Sequence, residues 1–181
     1  MEFIMSVRKI HRYISLLISV QLLLWTVSGL YFSFNKIEKI RGEHYYRKVD
    51  NSNTYADYDT VEMISKNNAF SIIVEKTFLT PLNLEVISEL KKGSEYRGRE
   101  LPIYKVTAKN IENSHINIYQ NPYSGEILAI RSQSWRIWDF MWGIHIMDWV
   151  ERDNIDNAFL KFFSFLALIT SITGIFLFMR K

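Results

Sequence analysis

The chain has 181 residues, no cysteine and a formal net charge of +3. That length holds one domain plus membrane anchors. The small, scattered charge excludes a nucleic-acid footprint, and the missing thiols exclude disulfides, iron–sulfur clusters and thiolate zinc sites. A mean hydropathy of -0.05 is too low for a polytopic helix bundle, so the apolar residues must be concentrated, and they sit at the two ends.

Residues 1–12 form a short basic tail with Arg8, Lys9 and Arg12. Residues 13–34 contain no charge and are long enough to cross about 30 Å of hydrocarbon as a helix. The run is longer than the core of a secretory signal, and no small-x-small cleavage site closes it, so a retained transmembrane helix is expected. Residues 35–133 then change composition and read as an α+β domain. The spacing of Val61, Met63 and Ile64 predicts a helix over 57–68. Residues 70–78, 84–90, 103–108 and 115–119 are rich in Ile, Val, Tyr and Phe and predict strands. Residues 91–100 are polar, with Gly93 and Gly98, and predict a loop or hairpin tip. Asn121-Pro122-Tyr123-Ser124-Gly125 is a turn, because proline presets one backbone angle and glycine accepts the left-handed one. Residues 126–130 supply the return strand of an antiparallel sheet.

Residues 134–150 predict a third membrane-related element. At about 100° per residue, Trp135, Trp138, Trp142, His145 and Trp149 fall in one sector of a helix. Tryptophan prefers the bilayer interface, where its ring is apolar and its N–H stays wet, so this helix is expected to lie on the membrane surface. A polar connector, 151–161, leads to a second span, 162–179, with Lys161 at one end and Arg180 and Lys181 at the other. Two spans put both termini on one side. The short basic tails assign that side to the cytoplasm and the central domain to the extracytoplasmic face of the inner membrane. The basic stretch 36–48 pulls the other way, although long translocated segments obey the charge rule poorly.

Chemistry is sparse. There is no phosphate loop, nucleophile elbow, paired-carboxylate signature or His-Glu-x-x-His motif. Four histidines remain: His11, His44, His115 and His145. His11, Ser15 and Ser19 share a helix face; from the residues alone His11 reads first as an interfacial residue beside Arg12, with the hydroxyls satisfied by the helix's own carbonyls. His145 in the tryptophan stripe reads either as a hydrogen-bonding anchor or as an axial haem ligand, since haem needs an imidazole on iron and an apolar slot. Gln21 falls near mid-membrane and should face protein. Ser28-Gly29 and Thr173-Gly174 are small pairs that permit close helix approach.

Lys9-Ile10-His11-Arg12-Tyr13, with the apolar run to Thr26-Val27-Ser28-Gly29-Leu30, resembles the first helix of the PepSY-associated transmembrane family. That helix opens on a Leu-His-Arg-Trp-like motif and closes on Thr-Gly-Leu or Ser-Gly-Leu. Ile144-His145, followed by Thr170-Ser171-Ile172-Thr173-Gly174-Ile175, resembles the family's second conserved helix. Ile116 through Ile127 resembles the strand, turn and strand that close a PepSY domain. The resemblance implies an α+β PepSY-like domain between two spans. By matched position, it also makes His11 and His145 candidate ligands of a b-type haem. Larger relatives have about four spans; this chain has two.

The resemblance therefore implies an inner-membrane electron carrier, or a subunit of a membrane reductase acting on an iron complex, with an electron donor elsewhere. With His11 and His145 at opposite faces, one monomer cannot place both on one iron; a two-fold homodimer would pair each histidine with its mate. The alternative is a non-enzymatic membrane-anchored module whose PepSY-like domain binds a partner protein or peptide through loop 91–100 or an open sheet edge. An accessory subunit of a larger membrane complex is the third reading.

Overall fold

A computed structural model describes residues 2–47 and 62–179. The chain divides into two compact units: a helical unit of Met1–Phe34 with Phe140–Lys181, and a sheet unit of Asn35–Asp139.

The helical unit contains α1 (Glu2–Phe34) and α5 (Ala158–Met179). Both are long and apolar enough to cross a membrane, over Met5–Phe34 and Ala158–Met179. Their seam is narrow. Ile18, Gln21 and Ser28 of α1 and Leu166 of α5 are buried, while Leu16, Val20, Leu23, Phe165 and Leu168 point outward. In water such a surface would be costly; in lipid it is the expected outer face. Gln21 is buried against protein as expected, but its Nε2 has no hydrogen-bond partner among the described residues. α5 begins before residue 162 because Asn157 caps it: its Oδ1 accepts the Leu160 N–H at 2.8 Å, and its amide donates to Ile146 O at 2.9 Å. Lys161 is ion-paired with Asp156 on the exposed surface. Arg180 and Lys181 lie outside the described residues.

The sheet unit is an antiparallel meander in the order β1 (Thr80–Ile87), β2 (Ile103–Lys109), β3 (His115–Gln120), β4 (Ile127–Arg131). Among the described residues, α2 (Ile37–Arg41), a 3-10 turn (Glu43–Tyr45) and α3 (Lys66–Lys76) precede it. Strand alternation divides the sheet into two faces. Val106, Ala108, Ile116, Ile118 and Ile130 fill one face with Ile73 and Leu79, all at 3% exposure or less. Each fully buried aliphatic side chain there is worth about 1.5–3 kcal/mol. Tyr96, Ile103, Tyr119 and Ala129 form the core of the other face. The β3–β4 turn is built as its sequence requires. Asn121 Oδ1 accepts the N–H groups of Tyr123 (2.8 Å) and Ser124 (3.1 Å), and Gly125 takes φ = 70°.

One expected strand is a helix. Residues 70–76 belong to α3, not to the sheet. β-rich composition at Phe70, Ile72, Ile73 and Val74 is outweighed by a cap and a spacing. Ser65 Oγ accepts the Asn68 N–H, and Ala69 and Ile73, four apart, are the buried positions. The helix expected over 57–68 lies outside the described residues for 57–61, and Ile64 precedes the helix that forms.

The loop expected at 91–100 is a loop, but a structural one. Glu95 Oε2 accepts hydrogen bonds from Asn117 Nδ2 at 2.7 Å and Tyr119 OH at 3.0 Å; its Oε1 accepts Arg136 Nε at 2.6 Å. Burial, and then the Glu95 carboxylate, push the Tyr119 phenol well up. Arg131 donates to Glu95 O at 3.1 Å and lies 4.3 Å from the Trp135 ring centre. Burial and the nearby Arg99 lower Arg131 to about 10. Arg97 is ion-paired with Asp139, which is 1% exposed.

Candidate functional site

The tryptophan element is α4 (Gln133–His145), shared between the units, with residues up to Asp139 in the sheet unit. It stops at His145, short of the expected Val150. Met147 takes a left-handed φ of 57°, a conformation that costs a side-chain-bearing residue about 1–2 kcal/mol. The following turn is organised by Asp148. Its Oδ1 accepts from Val150 (3.3 Å) and Glu151 (3.0 Å), its Oδ2 from Asp153 (3.1 Å) and Asn154 (3.0 Å). Trp149 is consequently off the helix and 56% exposed, so it leaves the predicted stripe.

Burial raises the Asp148 carboxyl, but the four backbone N–H donors outweigh it and hold the group below its ordinary value of 3.8. Because the native value is the lower one, the turn's contribution is fully present above pH 3.8 and is lost as pH falls through that lowered value. Trp149 emission titrated from neutral to strongly acidic pH should report the loss, and Asp148→Asn should abolish the transition. A transition unchanged in that variant would assign the titration elsewhere.

His145 closes α4 inside the helical unit. Its Nδ1 lies 2.8 Å from Ser28 Oγ, and its carbonyl accepts the Trp25 indole N–H at 2.7 Å. Phe32 meets the imidazole edge-on at 5.6 Å, and Trp142 lies parallel at 6.3 Å. Burial keeps the imidazole below its ordinary range, so it is neutral at pH 7. The Ser28 hydroxyl is also 2.8 Å from Leu24 O and 3.1 Å from Trp25 O. Given to a carbonyl, the hydroxyl proton leaves Ser28 Oγ to accept from Nδ1–H and the lone pair falls on Nε2; given to Nδ1, it fixes the opposite tautomer.

His11 repeats the pattern at the other end of α1. Its Nδ1 is 2.8 Å from Thr173 Oγ1 on α5, whose hydroxyl donates to Ile169 O at 2.8 Å. Gly174 makes room: a Cβ there would stand 3.3 Å from His11 Cε1. Gly29, the other small neighbour, has nothing within 4 Å of its Cβ position, so only one of the two expected small pairs mediates close approach. Ser15, on the same face, is buried with its hydroxyl unpaired among the described residues, and Ser19 bonds back to Leu16 O.

His11 and Ser28 are seventeen positions apart on α1, which is about 25 Å along the axis. The two imidazoles therefore belong to separate sites. His44 and His115 are elsewhere, in the sheet unit; among the described residues no three His, Cys, Asp or Glu side chains gather as a metal cluster. Ser28 and Thr173 are hydrogen-bond partners of the two histidines that reading them as small residues missed. The available signal was the repetition: a hydroxyl-glycine pair at each end, each with one histidine to match.

A bis-histidine haem needs two imidazoles with unprotonated nitrogens facing one apolar slot. Each site here offers one imidazole held at Nδ1 by a hydroxyl, that of His145 beside the Phe32 and Trp142 rings. No curated protein and no solved structure matches the chain. The family model described as the PepSY-associated TM region matches residues 8–181, taking in both apolar helices, the sheet unit and both histidines; the chain is a membrane protein and belongs to that family.

Proposed function

We propose that this protein is a membrane electron carrier, or the haem-bearing subunit of a membrane reductase, holding b-type haem through His11 at one membrane face and His145 at the other. The observation that carries the reading is the matched pair of second-sphere contacts. Each imidazole is held at Nδ1 by a hydroxyl that also lies within hydrogen-bond distance of a carbonyl of its own helix. Metal-ligating histidines are held this way, with the outer N–H donated and the inner lone pair free. A second copy of the chain supplies the other imidazole at each site, related by a two-fold axis. Haem so bound would supply one-electron chemistry. Two haems about 25 Å apart along the helix axis would provide stations on the two sides of the bilayer. With the basic tail at Arg8, Lys9 and Arg12 in the cytoplasm, electrons would pass outward to an extracytoplasmic acceptor such as a ferric complex.

Protein purified in detergent from haem-sufficient cells should show a sharp α band on reduction, with about one haem per chain. A colourless protein would overturn the reading. It would leave the sheet unit as a binding module, for which the open edge of β1 is the favoured surface: Leu82 and Val86 there are 46% and 51% exposed.

A further inference from the structure

The sheet unit contains a cleft of 840 Å³ that the haem reading does not use. Its lining includes Lys39, His44, Tyr45, Arg47, Phe78 and Ile111. Arg47 is held in place from three sides. Its backbone N–H donates to Lys76 O at 2.9 Å, and its Nε donates to Thr77 O at 2.8 Å and Val74 O at 3.1 Å. Its guanidinium lies over the Phe78 ring, 4.6 Å from the centre. These contacts fix the plane of the fork, while both Nη groups take no partner among the described residues. A planar fork of this kind matches two oxygens of one phosphate or carboxylate. The Lys39 ammonium is likewise without a hydrogen bond among the described residues. Against these cations the lining carries one carboxylate, Glu112. Burial, and then the Lys39 charge, hold His44 below its ordinary range.

The lining also carries exposed apolar groups: Phe78 is 59% exposed and Ile111 fully so. Two cations beside an exposed aromatic and an exposed isoleucine suit an amphiphile that presents a charged group and an apolar part to the same surface. Lys39 follows the last residue of α1 by five positions in the sequence, which is juxtamembrane chain, where lipid phosphates are concentrated.

We propose that this cleft binds a phosphate ester, with the Arg47 fork and the Lys39 ammonium on its oxygens, and that its source is the headgroup of an anionic phospholipid. The site gives the basic stretch after the first span a use that does not depend on which side of the membrane it occupies. It is also independent of His11 and His145.

The test is calorimetric titration of the full chain in detergent with dihexanoyl phosphatidylglycerol and, separately, with sn-glycerol 3-phosphate. Binding of the lipid, weakened about tenfold in Arg47→Gln and in Lys39→Gln, is the expected result. Binding of glycerol phosphate alone, with the same dependence on both residues, supports the site and assigns it to a soluble ester. Absence of binding by either probe, or affinity unchanged in both variants, overturns the proposal. Lys39→Gln removes no hydrogen bond among the described residues and keeps the test open should Arg47→Gln fail to fold.

Discussion

Replacing His145 by alanine is expected to halve the haem of the purified protein, from about one per chain to about one per two chains, while the His11 site stays loaded. The reason is geometric. The two imidazoles sit at opposite ends of α1, His11 on the helix itself and bonded to Thr173 of α5, His145 bonded to Ser28, so neither can substitute for the other. His11→Ala should give the complementary half, and the double variant should be colourless. Within the same series, Ser28→Ala keeps the ligand and removes the acceptor of its Nδ1 hydrogen; second-sphere losses of this kind weaken metal retention roughly 10–100-fold. Trp149→Ala should change nothing, because Trp149 stands beyond the end of α4 and is exposed. Full haem content in the His145 variant would refute the two-site reading even if the wild-type protein is red.

The second large effect belongs to the sheet unit. Asp139→Ala is expected to destabilise that unit by about 3–5 kcal/mol, the usual result of removing one partner of a buried ion pair. Asp139 is 1% exposed and its partner Arg97 only 18% at the side chain. Arg97 also lies 5.6 Å from the Trp135 ring centre, with Arg131 at 4.3 Å from the same ring. The truncation would leave two arginines around one indole with a carboxylate missing. Thermal unfolding of the detergent-solubilised chain, followed by tryptophan emission, should show the loss. Combining Arg97→Met with Asp139→Leu should recover most of it, since an apolar pair of similar volume avoids the desolvation cost. A single-variant loss below about 1 kcal/mol would mean that the pair is solvated in practice.

The two spans, the four strands of the sheet, the 121–125 turn and the histidine positions were legible in the sequence because each depends on local physics. An uncharged run of lipid length has few alternatives. Alternation at Val106, Ala108, Ile116 and Ile118 has period two on its own. Proline and glycine set their backbone angles without help from neighbours. Residues 70–76 show where this fails. β-branched and aromatic content carries weak preference, and the decision went to a serine cap and to a helix face that packs only once the sheet exists.

The rest was tertiary. Nothing in the local pattern of Ser28 or Thr173 distinguishes a hydroxyl bonded to its own helix from one that also accepts a histidine 117 or 162 residues away. The Asp148 turn that ends α4, the Glu95 centre under loop 91–100 and the Arg47 fork each join groups that sequence spacing keeps apart. The sequence by itself determined that this chain crosses a membrane and carries an α+β domain, because lipid and period-two burial act on neighbouring residues. Only the tertiary structure decided that Thr173 meets His11 and Ser28 meets His145, because a hydrogen bond needs its donor and acceptor within about 3 Å, and folding alone brings them there.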